Sequence, residues 1–248
     1  MTLFAKLVAF AALIAVAALP FEAQAGDPGN YFVSIYDNTG KWDLSFHYWD
    51  IQQPNSAKVL WPELGLGYGI NEHWYTRVYV SNEGEDLGLT TLDSTNWQND
   101  FKLTSGQSSY DLALHTKVTW YAGPGQGQML EIGPAFQTEA GLWRINTNLF
   151  FRRSFGADEV EPTQLSYQWR ALYPVLQGWH WGLVGMGELG EWNHWAPVGE
   201  QSHRIGPTAM SSWSMPDGHS MRAEASYLQG KIDGQNGNML LVTLRYQY

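Results

Sequence analysis

The 248-residue chain contains no cysteine, so no disulfide framework can hold it. Small secreted scaffolds usually depend on one; an exported chain without cysteine must rely on its own hydrogen-bond ladder. Charge is scarce as well, with Asp, Glu, Lys and Arg making up 15% of the residues. The formal net charge of −10 argues against nucleic-acid partners and against a basic membrane-surface binder. Beyond the N-terminus no apolar stretch approaches the ~20 residues of a helical membrane span, which excludes the helical membrane class. Solenoid repeats and low-complexity tracts are missing too.

The one long apolar run is Leu7 to Leu19, preceded by Met1 to Lys6 with a single positive charge. Pro20 breaks it, and Ala23-Gln24-Ala25 supplies the small residues that a signal peptidase needs. Residues 1–25 therefore read as a secretory signal peptide cleaved after Ala25. A membrane anchor would need a longer run, and a lipoprotein would need a cysteine at the cleavage point.

Aromatic residues are abundant, at 15% with 13 Trp and 13 Tyr. A soluble domain has one core in which to bury them, whereas a membrane barrel has two interfacial girdles that favour amphipathic rings. Apolar and polar residues also alternate with period two. Twelve segments carry the pattern: Trp42–Asp50, Pro62–Ile70, Trp74–Val80, Asn96–Leu103, Tyr110–Tyr121, Gln128–Gln137, Leu142–Arg153, Gln164–Tyr173, Trp179–Leu189, Ser202–Ser211, His219–Gln229 and Asn238–Tyr248. Their lengths suit tilted strands of about 9–11 residues crossing a bilayer, where strands of soluble domains average about 5–6.

Short links, such as Asn71-Glu72-His73, Ser105-Gly106-Gln107 and 138–141, alternate with longer polar ones at 52–60, 81–95, 154–163 and 190–201. A barrel with both termini in the periplasm has this asymmetry. The expectation is an all-β, transmembrane, antiparallel up-and-down barrel of about 12 strands over residues 42–248, with 26–41 as an N-terminal periplasmic segment. The last strand places Leu240, Val242, Leu244, Tyr246 and Tyr248 on one face. A final aromatic behind an apolar face resembles the signal recognised by the outer-membrane barrel-assembly machinery.

The segments Glu63-Leu64-Gly65-Leu66-Gly67-Tyr68-Gly69, Trp97 to Leu103 and His203-Arg204-Ile205-Gly206-Pro207 resemble a family of proteobacterial outer-membrane barrels, mostly uncharacterised and often described as transporters. The first segment is also similar to one in barrels of phenol-degradation pathways and in copper-resistance barrels. Copper-resistance barrels tend to carry Met and His in an N-terminal extension, and Gly26–Lys41 contains neither. The resemblance implies a barrel of about 12 strands in the outer membrane and assigns no functional residue.

If the aromatic-rich face of each strand meets lipid, the lumen receives Glu63, Arg77, His115, Lys117, Glu131, Arg144, Arg170, Glu188, Arg222, Glu224 and Arg245. Asp43, Asp100, Lys102 and Asp111 share that face, as do His47 and His180. Charges of both signs either line a water-filled path or pair across strands and fill it. Their near balance favours pairing and a narrow lumen. Gly65, Gly67 and Gly69, and likewise Gly182, Gly185 and Gly187, are read as room for large inward side chains.

No catalytic residue, metal site or cofactor is expected. No His is followed two positions later by Ser, the spacing expected of a barrel lipid hydrolase, and neighbours His219 and Ser220 point to opposite faces of a strand. His47, His115 and His180 are scattered rather than clustered as metal ligands are. The loop acids Glu83, Glu85 and Asp86, and Asp158, Glu159 and Glu161, read as solvated charges facing lipopolysaccharide. The sequence thus points to passage of an unidentified small solute, with a non-conducting structural or surface-interaction barrel as the alternative. Its partners are outer-membrane lipid and lipopolysaccharide, the assembly machinery and the solute.

Overall fold

The computed structural model describes residues 32–35, 38–54, 56–104, 108–157, 161–232 and 235–248. The expected signal peptide, residues 26–31, Ser105-Gly106-Gln107 and the loop acids Asp158 and Glu159 lie outside them. Twelve long antiparallel strands close into a barrel: β1 (Trp42–Gln52), β2 (Val59–Asn71), β3 (Trp74–Glu83), β4 (Thr91–Lys102), β5 (Tyr110–Tyr121), β6 (Gln128–Ala140), β7 (Trp143–Phe155), β8 (Gln164–Leu176), β9 (Trp179–Glu191), β11 (Ser202–Ser214), β12 (Ser220–Ile232) and β13 (Gln235–Gln247). A two-residue strand, β10 (His194–Trp195), pairs with the loop end of β9 as an extra piece.

Each long strand pairs with its neighbours in sequence order, and β13 pairs back on β1, so Asp43 faces Gln247 and Asp50 faces Leu240. Closure leaves the twelve long strands without an unpaired edge. Several strands begin or end a few residues outside the sequence expectation, β4 at Thr91 rather than Asn96 and β13 at Gln235 rather than Asn238. Their added residues shorten the loops, so the contrast between the two barrel ends is weaker than expected. The link 122–127 at the loop end is shorter than the 103–109 link at the terminus end.

The alternation is inside out. In β1 Asp43, Ser45, His47 and Trp49 are buried in the barrel. Trp42, Leu66, Val78, Trp97, Ile132, Leu183, Ile205 and Leu240 stay exposed on the outer wall. Water would penalise so large an apolar surface, whereas hydrocarbon solvates it. At the terminus end aromatic pairs circle the wall: Trp42–Tyr68, Trp74–Phe101, Tyr110–Phe136, Trp143–Tyr173, Trp179–Trp213 and His219–Tyr246. Every hairpin contributes, and the result is an interfacial girdle. Leu240, Val242, Leu244, Tyr246 and Tyr248 fall on this outer face, opposite inward Leu241 and Arg245.

The glycines divide in two. A Cβ on Gly65 would stand 2.2 Å from the Tyr79 ring, and one on Gly67 2.2 Å from the Tyr75 hydroxyl, so these two make room for inward rings as expected. Gly185 and Gly187 do not. They lie beneath Trp169 and Tyr167, which ride on the outer wall, and Gly182 abuts the backbone of Ala171. Gly182 shares the inward parity of Val184 and Glu188, whereas Gly185 and Gly187 share the outward parity of Leu183.

Candidate functional site: the barrel lumen

Two kinds of buried side chain share the lumen, an apolar cluster and a belt of charged groups. Trp49, Ile51, Trp61, Phe150, Met186, Leu228, Ile232, Met239 and Leu241 pack into one cluster, which reaches the loop end on β1, β2 and β12 and lies deeper on β7 and β9. In an outer wall these residues would be ordinary; inside, they form an apolar patch that Val33 of the N-terminal segment joins.

Against the cluster lies a belt of mostly buried acid–base groups, with Arg152 and Glu188 nearer the loop end than Phe150 and Met186 on the same strands. Asp43 accepts from Arg245 at 3.0 Å and from the Tyr75 hydroxyl, and Arg77 Nε donates to that hydroxyl at 2.7 Å. Glu63 meets His47 Nδ1 at 2.9 Å, Ser81 Oγ at 2.5 Å and Asn96 Nδ2 at 3.1 Å. Glu131 lies 3.5 Å from Lys117 Nζ, 3.4 Å from His115 Nε2 and 3.8 Å from Arg152 Nε, while His115 Nδ1 meets Asp100 at 2.6 Å. Glu188 binds Arg204 at 3.2 Å and Arg152 at 3.6 Å, and Arg170 binds Glu224 at 2.5 Å. Buried charges in a low dielectric need such partners.

Of the residues expected inside, Glu63, Arg77, His115, Lys117, Glu131, Arg170 and Arg245 are buried, and Arg144, Glu188, Arg222 and Glu224 are half-buried. Most join the belt; Arg144 and Arg222 stand apart, at the terminus end. Arg152 and Arg204 were missed, although Arg152 shares the parity of Arg144. Tyr75 and Tyr79 were missed because the rule that aromatic faces meet lipid fails on β3, where both rings flank Arg77 inside.

The largest departure from expectation concerns the N-terminal segment. Residues 26–41 were expected in the periplasm, but residues 32–35 run inside the barrel. Val33 N donates to Gln168 Oε1 at 3.2 Å, and Val33 O accepts from Asn148 Nδ2 at 2.8 Å. Arg170 donates to Ser34 Oγ at 2.9 Å and lies over the Phe32 ring at 4.3 Å. Val33 also packs against the apolar cluster. Near the terminus end Gly40 N donates to Gly69 O at 2.8 Å, and a Cβ on Gly69 would meet the Asn38 backbone at 2.0 Å. The third glycine of the β2 series thus admits the entering chain rather than a side chain.

Between this segment and the wall, at the terminus end, lies a cavity of about 250 Å³ lined by Ser34, Ile35, Asn38, Gln137, Arg144, Arg170, Met210, Ser220, Arg222, Arg245 and Gln247. On the other side of Ser34 only about 30 Å³ is open, between His47, Arg77, Gln98, Asp100 and Glu224. That space suits one or two waters rather than a solute.

His219 Nδ1 meets Tyr246 Oη at 2.6 Å on the outer wall, while Ser220 Oγ donates to Gln247 Oε1 at 3.0 Å inside. The two neighbours do point to opposite faces. Among the described residues no group of three His, Asp or Glu is placed to hold a metal ion.

No protein-family model matches the sequence, and no curated protein matches it. Among solved structures the barrel is similar to the COG4313 outer membrane channel from Pseudomonas putida F1, with a TM-score of 0.61 and 10% identity over 90% of this chain and 99% of that one. It is also similar to the KdgM porin, with a TM-score of 0.51 and 9% identity over 82% and 98% of the two chains. At these identities the likeness establishes the shared barrel fold.

Proposed function

We propose that the protein is an outer-membrane barrel that passes a small solute through a narrow lumen obstructed by its own N-terminal segment. The observation that carries this reading is the nature of the obstruction. Residues 32–35 belong to no strand of the wall and are held by a few side-chain hydrogen bonds, so their displacement leaves the barrel's own hydrogen-bond ladder intact. The similar solved barrels described as a channel and a porin support the reading, as does a cavity that ends against this segment. The likeness of Glu63–Gly69 to barrels of phenol-degradation pathways makes small organic molecules the solutes to screen first. The outward apolar wall and girdle fit outer-membrane lipid as the surrounding phase, with lipopolysaccharide against the loops.

The density of buried ion pairs favours a second reading, a structural barrel that conducts nothing and acts through its loops. Solute influx into proteoliposomes separates the two. Influx of small organic solutes above that of empty vesicles supports passage; none, with the folded barrel demonstrably inserted, supports the structural role.

A further inference from the structure

We propose that the cavity at the terminus end is a binding site for a small organic carboxylate; the inference rests on reading the lumen as a solute path and names the class of solute. Four guanidinium groups, from Arg144, Arg170, Arg222 and Arg245, line the cavity, and among the described residues no carboxylate does. Two of the four have counter-ions set back from the cavity, half-buried Glu224 for Arg170 and buried Asp43 for Arg245. Among the described residues Arg144 has only Glu139 as a counter-ion, at 3.4 Å, on a side chain that is itself 65% exposed.

Such a solvent-exposed pair is weak and exchangeable. The Nε atoms of Arg144 and Arg170 are buried and have no hydrogen-bond partner among the described residues. So is Nδ1 of His180, whose charged neighbours are Arg144, Arg170 and Arg222. Low-dielectric walls lined by one sign of charge focus the field and concentrate the opposite charge. The planar guanidinium fork matches a carboxylate in particular.

Ile35 and Met210 add apolar wall, which an inorganic ion would leave unused and a short hydrocarbon body would cover. At about 250 Å³ the cavity falls below the ~300–1,000 Å³ of drug-sized ligand sites, so it takes a small body.

The test is calorimetric titration of the refolded chain from Gly26 in detergent with butyrate, its neutral isostere butyramide, and inorganic phosphate. Butyrate is expected to bind and butyramide not. The double variant Arg144→Gln/Arg222→Gln, checked as a folded barrel by its unboiled gel mobility, should bind butyrate weaker by about tenfold or more, the cost of lost charge-assisted hydrogen bonds.

Should that variant fail to fold, Glu139→Gln replaces it. Freed of its rim counter-ion, Arg144 should then hold butyrate roughly two- to fivefold more tightly. Equal binding of butyramide, phosphate binding without butyrate binding, or indifference to these substitutions overturns the site. Binding is read without current or flux. A silent barrel that binds butyrate therefore contradicts passage alone, and a conducting barrel that does not bind it contradicts the site alone.

Discussion

The main-chain nitrogen of Val33 donates to the side-chain oxygen of Gln168 at 3.2 Å, across 135 positions of sequence. Asn148 completes the hold by donating both to Val33 O at 2.8 Å and to Gln168 Oε1 at 3.1 Å. Two neutral amides on the wall thus do for one turnless stretch of chain what a neighbouring strand does elsewhere in the barrel.

Removing them should free the segment without harming the wall. Each hydrogen bond contributes about 1 kcal/mol net, or about fivefold in population. The variant Asn148→Ala/Gln168→Ala removes two such bonds to Val33 and should therefore raise a small open fraction in current recordings by about 25-fold. Unchanged occupancy of the open level would show that these amides do not hold the obstruction.

Gly65 is fixed by the ring above it. A Cβ there would stand 2.2 Å from Tyr79, so Gly65→Ala should destabilise the barrel by about 1–3 kcal/mol through overpacking. Urea titration in detergent checks this, and Gly65→Ala/Tyr79→Ala should show a coupling that recovers part of the overpacking cost. Strict additivity would disconnect the two positions.

Glu131 gathers Lys117, His115 and Arg152 in a site where Lys117 and His115 are fully buried. Glu131→Leu removes the carboxylate these groups share, leaving His115 with Asp100 and Arg152 with Glu188, and the loss of one partner of a buried pair costs about 3–5 kcal/mol. The double variant Glu131→Leu/Lys117→Met should be less destabilised than Glu131→Leu alone, by the same titration. A smaller loss in the single variant would mean the belt is more hydrated than its burial indicates.

Ile132 sits on the outer wall near the middle of the strand run of β6, next to inward Glu131. Arginine at a lipid-facing midplane position costs about 2–4 kcal/mol and little near the interfaces. Ile132→Arg should fall in that range in a folding titration with lipid vesicles. A negligible effect would contradict the lipid-facing assignment.

Much of this was legible in the sequence because a strand carries its burial in its parity. Asp43, Ser45 and His47 alternate with Leu44, Phe46 and Tyr48, and the twelve segments follow the same code. The inward charges came with it, from Glu63 on β2 to Arg245 on β13. Parity could not reveal the course of residues 32–35. They have no strand partner, and their place depends on the width of a lumen formed by residues more than a hundred positions away. The apolar cluster of Trp49, Trp61 and Leu228 inside an otherwise polar lumen breaks the very rule that located the lumen.

The central claim is that the N-terminal segment, not the wall, closes the lumen, and single-channel recording in planar bilayers tests it most directly. The chain from Gly26 should show small or rare current steps, and a chain lacking residues 26–35 should show larger or longer-lived ones, with both migrating as folded barrels. If deletion leaves the current unchanged, or leaves both forms silent, the belt and the apolar cluster are the closure and the segment is no gate.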